Sequence, residues 1–240
     1  MTLVTLYCIV EGPIYERYWQ MLERDAQAYF FPGEAQLVRL PGIPRGPERD
    51  TPPQWSHISA TRYEVALQNL DKLGGDYIFQ IDADMRIVAP VGHEILCDGI
   101  TTSIHPGVPP EQDKHDWPYE RRPESRAYVP YGGEGPQYHP GCFIGGRRAE
   151  FLALAEIIRD GVRLDLDQNY YPAWYEESHL NKYFIDHPAD LVLPKQYCWW
   201  AHYSRVPEGA DPDLQAEIFR ADGAIVAHLD KTGEEFRDRG

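Results

Sequence analysis

Apolar and polar positions alternate between two periods along the first third of the chain. Residues 3–10 form a short apolar run with β-branched side chains, which predicts a buried strand. Residues 15–30 have apolar and small side chains at helical spacing, and Ala35–Leu40 is a second strand-like run. Residues 58–73 again have a helical pattern, and residues 76–82 are an apolar run that ends abruptly in an acid. The succession strand, helix, strand, helix, strand predicts an α/β sheet with crossover helices.

The second half of the chain has a weaker pattern, interrupted by irregular stretches. It predicts strands at residues 101–105 and 142–144 and helices at residues 148–160 and 177–187. Residues 106–136 are rich in proline, glycine and charge, so we expect a long loop, and loops of that length inside a domain are usually functional. The chain has no internal repeat, and its 240 residues fit one large α/β domain as well as two small ones.

Composition narrows the class of protein. The chain has 42% hydrophobic and 12% aromatic residues, as globular proteins do, and its formal net charge of −15 disfavours nucleic acid and anionic membranes as partners. No apolar run approaches the length of a membrane span, and residues 3–10 lack the basic leader of a secretory signal. The four cysteines are scattered without a C-x-x-C pair, which favours free thiols over disulfides or zinc. We therefore expect a soluble, cytoplasmic protein.

Two carboxylates stand at the end of the clearest strand. Asp82 and Asp84 follow the apolar run, and residues two apart in extended backbone point to the same side. Such a pair can converge on Mn²⁺ or Mg²⁺, which prefer oxygen ligands and also accept diphosphate oxygens. In open α/β sheets, ligands lie at the carboxyl ends of strands. A plain exit from strand to turn is the alternative interpretation.

Five ordered blocks resemble glycosyltransferase family 6, the ABO blood-group and α-1,3-galactosyltransferases and their bacterial relatives. The blocks are IDADM (81–85), IHPG (104–107), YERRPES (119–125), GCFIGG (141–146) and ESHLNKY (177–183). The resemblance implies an α/β GT-A glycosyltransferase fold, in which a Rossmann-like nucleotide-binding sheet merges with an acceptor-binding half. It assigns residues 1–100 mainly to UDP binding, residues 101–227 mainly to the acceptor, and residues 228–240 to a tail that closes over the diphosphate.

The resemblance also implies the reaction and the residues that perform it. Family members transfer galactose or N-acetylgalactosamine from a UDP-sugar to a galactoside-containing glycan acceptor, forming an α-1,3 bond with retention. Asp82 and Asp84 match the metal-binding pair, and Glu177 matches a carboxylate proposed as nucleophile or stabiliser beneath the anomeric carbon. The implied donor-binding residues are Tyr7, Ile9, Tyr15, Arg62, Asp82, Ala83, Asp84, Pro140, Gly141, Cys142, Glu176, Lys231 and Arg237. The implied acceptor-binding residues are His105, Trp174, Glu177 and Trp200.

Departures from the family pattern leave alternatives open. Trp200 stands where blood-group enzymes have an acidic acceptor contact, and Pro140 and Cys142 occupy the positions that decide between galactose and N-acetylgalactosamine. Lys231 and Arg237 can equally belong to a charged tail. One alternative function is a carbohydrate- or UDP-binding protein with the same fold and weak turnover. Another is a metal-dependent phosphohydrolase with Asp82 as its nucleophile.

Overall fold

The computed structural model describes residues 2–44 and 54–230, without the side chains of residues 54 and 55. The strands are β1 Val4–Ile9, β2 Ala35–Leu40, β3 Tyr77–Ile81, β4 Met85–Ile87, β5 Ile100–Ser103, β6 Phe143–Arg147, β7 Leu191–Leu193, β8 Trp199–Trp200 and β9 Val226–His228. The helices are α1 Gly12–Tyr29, α2 Gln54–Gln68, α3 Arg148–Asp167, α4 Tyr175–Asp186 and α5 Pro212–Ala221. Within these ranges no helix combines the length and the apolar character that crossing a bilayer requires.

A six-stranded mixed sheet forms the centre of the molecule. Its order is β2-β1-β3-β6-β5-β7, and β6 runs antiparallel to both of its neighbours while the other pairs are parallel. The predicted α/β class is therefore confirmed, with helices packed on both faces of the sheet. A second sheet, β4-β9-β8, lies beyond the end of β3 and was not predicted. Its strands have only two or three residues, too few to produce a pattern in the sequence.

Strand β1 of the central sheet is buried on both faces. On β1, Leu6 and Cys8 belong to the apolar cluster that includes residues of α1, whereas Tyr7 packs on the opposite face among residues of α2 and α3. This alternation is the two-residue period of an extended strand. It explains why residues 3–10 read as a continuous apolar run rather than an alternating one.

Most predicted elements are present, with shifted ends. Helix α2 begins before residue 58 and ends at Gln68, and the chain reaches β3 through turns and through Gly75, whose φ is +88°. Helix α3 continues to Asp167, well past the predicted end at residue 160. Gly161 lies inside it, and a β-carbon there would come within 2.7 Å of the His179 ring. The glycine is therefore a close contact between α3 and α4 rather than a helix end.

The segment from residue 106 to 136 is a loop with its own small apolar core. Val108, Trp117, Tyr119, Val129 and Tyr138 are buried together. Two ion pairs brace it, from Arg122 Nε to Glu120 at 2.9 Å and from Arg121 to Glu134 at 2.6 Å. Glu120 Oε2 also accepts a hydrogen bond from the Ala173 N–H at 2.8 Å. The loop is thereby fastened to the segment that leads into α4.

Candidate active site

Two adjoining cavities open at the end of β3, one of about 160 Å³ and one of about 380 Å³. The first cavity is lined by Ile9, Glu11, Tyr15, Ile58, Ser59, Arg62, Gln80, Asp82, Ala83, Asp84 and His228. The second cavity is lined by Ser59, Arg62, Asp82, His105, Gly107, Val108, Pro118, Pro140, Gly141, Cys142, Trp174, Tyr175, Glu176, Glu177, Trp200 and His228. The two cavities share four residues, including Arg62, Asp82 and His228. An elongated ligand can therefore extend from one cavity into the other.

The two aspartates stand on a turn at the carboxyl end of β3. The Asp82 N–H donates to the Cys142 carbonyl at 2.9 Å, and the Met85 N–H donates to the Asp82 carbonyl at 3.1 Å. The backbone carbonyl of Asp84 accepts from the Leu229 N–H at 3.1 Å. The side chain of Asp82 is 28% exposed and that of Asp84 is 6% exposed. Neighbouring segments thus hold the turn from both sides.

Arg62 is the buried centre of charge at the junction of the cavities. Its guanidinium reaches Asp82 Oδ1 at 2.9 Å, Glu176 Oε1 at 3.0 Å and the Gly141 carbonyl at 2.6 Å. Burial by itself lowers the pKa of Arg62, but the two carboxylates more than offset it and raise the pKa above its ordinary value. Arg62 is therefore a permanent cation that ties α2 to the acidic turn and to α4.

The acidic turn fits a hard divalent cation. Arg62 and Gln80 both engage Oδ1 of Asp82, and no described residue has a hydrogen bond or ion pair with its Oδ2. Asp82, Ala83 and Asp84 all line the first cavity. Two carboxylates beside an open cavity provide the oxygen ligands that Mn²⁺ and Mg²⁺ prefer, with room for further oxygens from a ligand.

Glu176 and Glu177 lie in the first turn of α4, on the far side of Arg62. Burial raises the pKa of Glu176 to about 8, against the opposing effect of Arg62. Burial also raises the pKa of Glu177 to about 7, although the Gly141 N–H donates to its Oε2 at 2.8 Å. The Glu177 side chain keeps 18% exposure and faces the second cavity. It is a positioned carboxylate that is only partly ionised near neutral pH.

His105 and Trp200 line the second cavity close to Glu177. The Gly107 N–H donates to His105 Nδ1 at 3.0 Å, so the neutral ring carries its proton on Nε2, which lies 3.9 Å from Glu177 Oε1. Burial lowers the pKa of His105 to about 4, so the ring is neutral at neutral pH. The Trp200 ring stands edge-on to His105, with the ring centroids 5.3 Å apart. Trp174, 52% exposed, contributes a second flat surface at the rim.

The ESHLNKY block holds the walls of the second cavity in place. Glu177 binds the Gly141 N–H, and Ser178 Oγ accepts from the Trp174 N–H at 3.1 Å. Asn181 Oδ1 accepts from the His139 N–H at 2.7 Å, and its amide donates to the carbonyls of His139 and Glu177. The polar residues of this block thereby fix the segment before β6 against α4.

The structure brings most of the sequence-predicted site residues together. Ile9, Tyr15, Arg62, Ala83 and both aspartates line the first cavity, and the remaining described ones, apart from Tyr7, line the second. Tyr7 is fully buried against Phe151 and lines neither cavity. Lys231 and Arg237 lie outside the described residues.

Sequence reasoning missed three residues of the site. Gln80 bridges Arg62 and Asp82, Tyr138 hydrogen-bonds Glu177, and His228 lines both cavities with its Nδ1 3.8 Å from Asp84 Oδ1. A signal existed for His228, because it ends the short apolar run at residues 224–227 as the aspartates end theirs. Gln80 precedes Asp82 by two residues, so it shares the position that singled out the aspartates, whereas Tyr138 has no such signal because its partner Glu177 is distant in the sequence.

The mixed sheet, the acidic turn at the end of a central strand and the paired cavities define a glycosyltransferase of the GT-A-like fold class. The family model for Glycosyltransferase family 6 matches residues 49–210, more than half of the chain. The chain belongs to glycosyltransferase family 6, and the fold and family expected from the sequence are confirmed.

Curated relatives from several organisms are similar to the chain. Globoside alpha-1,3-N-acetylgalactosaminyltransferase 1 of Mus musculus is 33% identical over 73% of this chain and 53% of its own length. Histo-blood group ABO system transferase 2 of Rattus norvegicus is 33% identical over 61% of this chain and 44% of its own length. Alpha-1,3-galactosyltransferase 2 of Homo sapiens is 27% identical over 82% of this chain and 62% of its own length. The chain spans about half the length of the first of these relatives.

Proposed function

We propose that the chain is a retaining glycosyltransferase that moves galactose or N-acetylgalactosamine from a UDP donor to a galactoside-containing glycan, forming an α-1,3 linkage with the help of a divalent metal. The observation that carries this proposal is the junction of the two cavities. There, the Asp82–Asp84 turn and the Glu176–Glu177 turn face each other across the buried Arg62. The relatives named for α-1,3 transfer of these two sugars support the reaction class.

The first cavity suits the nucleotide end of the donor. Ile9 and Tyr15 offer apolar surface for a base, and the acidic turn lines the same cavity. Asp82 and Asp84 would hold Mn²⁺ or Mg²⁺, which would neutralise diphosphate charge as the bond to the sugar breaks. Family 6 enzymes generally depend on a divalent metal. Lys231 and Arg237 are proposed to add positive charge over the same phosphates.

The second cavity suits the transferred sugar and the acceptor. Pro140, Gly141, Cys142 and Glu177 all line it, and the Gly141 N–H donates to Glu177 Oε2 at 2.8 Å. An ionised carboxylate there can attack the anomeric carbon or stabilise positive charge that develops on it, and either role shields one face of the sugar, as retention requires. Arg62 and the Gly141 N–H fix the geometry of the two glutamates before the donor arrives.

Flat aromatic surfaces flank the place where the acceptor would enter. Trp174 and Trp200 can pack on sugar rings, and the Nε2–H of neutral His105 can donate to a sugar hydroxyl. Because Trp200 replaces an acidic contact of the blood-group enzymes, we expect stacking to contribute more to acceptor binding here than charge–hydroxyl contacts do.

The experiment is a donor and acceptor panel with UDP release as the readout. UDP-galactose and UDP-N-acetylgalactosamine are incubated with Mn²⁺ and with lactose-type or fucosylated galactosides. Acceptor-dependent UDP release is the expected result. UDP binding without release would support the binding-protein alternative, and release of inorganic phosphate would support the phosphohydrolase.

A further inference from the structure

Two thiols and an imidazole converge beside the acidic turn, although they are far apart in the sequence. The sulfurs of Cys142 and Cys198 are 3.2 Å apart. One ring nitrogen of His228 and the two sulfurs all lie within 4.8 Å of one another. Cys142 is 6% exposed and Cys198 fully buried, while the His228 side chain is 24% exposed. Two of the four cysteines, whose spacing in the sequence did not indicate a zinc site, therefore lie together with a histidine as three potential metal ligands.

The junction between the two sheets creates this cluster. Cys142 directly precedes β6 and Cys198 directly precedes β8. His228 is the last residue of β9 and is paired in register with Trp200 of β8. The Cys142 carbonyl is fixed by the Asp82 N–H at 2.9 Å, so the cluster is anchored to the acidic turn. All three residues therefore stand on hydrogen-bonded backbone rather than on a free loop.

The chemistry of the three ligands differs from that of the carboxylate pair. Thiolates and imidazole select Zn²⁺ and similar thiophilic ions, whereas Mn²⁺ and Mg²⁺ prefer oxygen. Zinc–sulfur bonds of about 2.3 Å at tetrahedral angles place two sulfurs about 3.8 Å apart. The observed pair needs to open by only about half an ångström to reach that separation. Two thiolates, one imidazole and an open fourth position form a known type of zinc site.

We propose that Cys142, Cys198 and His228 bind one thiophilic divalent ion, such as Zn²⁺, at a site separate from the carboxylate pair. The fourth position faces the second cavity, because both Cys142 and His228 line that cavity. The bound ion links β6, β8 and β9 at the point where the two sheets meet. The two thiolates balance the charge of the ion, because each thiol loses its proton on binding, so the site adds no net charge beside Asp84, whose Oδ1 lies 3.8 Å from His228 Nδ1.

The test uses Co²⁺ as a spectroscopic probe of the full chain, reduced beforehand with a phosphine. One equivalent of Co²⁺ is expected to produce the thiolate-to-cobalt charge-transfer band and the visible bands of tetrahedral cobalt. Zn²⁺ should abolish these bands stoichiometrically, and excess Mn²⁺ should not. Cys198→Ser should lose the bands, whereas Cys97→Ser should retain them, because Cys97 contacts Thr101 and lies outside the cluster.

A second variant keeps the proposal testable if Cys198→Ser does not fold. His228→Gln leaves both thiols in place and should weaken cobalt binding about 100-fold, with the near-ultraviolet circular dichroism unchanged. The proposal is wrong if the reduced wild-type chain shows no thiolate–cobalt band. It is equally wrong if His228→Gln binds cobalt with the affinity of the wild type, or if a folded Cys198→Ser variant keeps the band at full strength.

Discussion

Glu177 combines a helix N-terminal position with a raised pKa. It lies in the first turn of α4, where the helix dipole stabilises a negative charge, yet burial raises its pKa to about 7. The Gly141 N–H and Arg62 stabilise the charged form but do not restore the ordinary value. Such a perturbed carboxylate beside a cavity is typical of a catalytic group. A residue present only to cap the helix would gain nothing from this burial.

The pH dependence of the reaction should report this carboxylate. If transfer requires ionised Glu177, kcat/KM should rise about tenfold per pH unit below about 7 and level off above it. Because the pKa of His105 is about 4, its titration should not change kcat/KM between pH 5 and 8. Initial rates at subsaturating donor, between pH 5 and 9, measure the profile. A flat profile over that range would contradict the assignment.

Removal of the charge should stabilise the protein while abolishing its activity. Because the folded pKa of Glu177 lies above the ordinary 4.5, its contribution to stability is largest at low pH and declines as pH rises through about 7. Glu177→Gln should therefore raise the free energy of unfolding by about 3 kcal/mol at pH 8 and by much less at pH 5. Thermal unfolding at the two pH values measures the difference.

The matched control is Glu124→Gln, which removes one exposed carboxylate from the loop. Its unfolding temperature should follow that of the wild type at both pH values, and its activity should be unchanged. Equal stabilities of Glu177→Gln and the wild type at pH 8 would show that burial does not penalise this carboxylate. Retained activity in Glu177→Gln would exclude a role for its charge in the reaction.

At the residue scale, the sequence was informative where the chemistry is local. Asp82 and Asp84 were predicted from their place at the end of an apolar strand, and Glu177 from the resemblance to family 6; the structure puts all three at the cavities. His228 is brought to the same place by a three-residue strand of the second sheet. No spacing within the sequence expresses that pairing. His228 was therefore missed because sheet topology, and not local spacing, brings it to the site.

At the element scale, α4 acts as the frame of the second cavity. Its N-terminal turn presents Glu176 and Glu177, and Tyr175 at its start has a left-handed φ of 50°. A non-glycine residue in that conformation costs about 1 kcal/mol or more, which the surrounding contacts must offset. Asn181, one turn further along, clamps the His139 backbone through two hydrogen bonds.

Loss of this clamp should impair catalysis more than nucleotide binding. Asn181→Leu keeps a similar volume but leaves the His139 N–H and carbonyl without their partner. We expect kcat to fall at least tenfold, the affinity for UDP to change less than threefold, and stability to fall by about 2 kcal/mol. Kinetics, calorimetric titration with UDP and thermal unfolding measure the three quantities.

Gln168→Leu is the control, because it removes an exposed amide at the end of α3, away from both cavities. It should leave kcat unchanged. A parallel loss of UDP affinity and kcat in Asn181→Leu would show general disruption rather than displacement of Glu177. Asn181→Asp, which keeps the acceptor oxygen alone, should retain an intermediate kcat.

Elements with long, regular patterns were the predictable ones. The strands of the central sheet through β3 and the helices α1 to α4 were predicted because each buries a run of apolar residues. Helix α5 was missed since it has only ten residues, of which Gln215, Ala216 and Phe219 are buried. The sequence indicates this helix only by Asp211 followed by Pro212, a typical helix start. In the structure the Asp211 side chain accepts hydrogen bonds from the Asp213 and Leu214 N–H groups.

At the scale of the whole molecule, the first cavity is proposed to bind the nucleotide and the second to bind the transferred sugar and the acceptor. The acidic turn belongs to the first cavity, so its loss should act on the donor. Asp84→Asn should remove the tightening of UDP binding by Mn²⁺ and lower transfer at least 100-fold, with UDP affinity in the absence of metal unchanged. Calorimetric titration with UDP, with and without Mn²⁺, measures the effect.

Asp98→Asn is the matched control, since Asp98 is 95% exposed and pairs only with Arg147 among the described residues. It should bind UDP and Mn²⁺ as the wild type does. Full activity of the wild type after chelation of divalent metal would contradict the metal part of the proposal, and it would leave the carboxylates with a structural role alone.

The most direct measurement of the central claim is the configuration of the product. A galactoside acceptor is incubated with the wild-type chain, Mn²⁺ and the UDP-sugar that supports turnover, and the purified product is examined by nuclear magnetic resonance. The account predicts a new α-anomeric signal with a correlation to carbon 3 of the acceptor galactose, absent with Glu177→Gln. A β-anomeric product would contradict retention at Glu177, and hydrolysed sugar without any new glycosidic bond would contradict transfer itself.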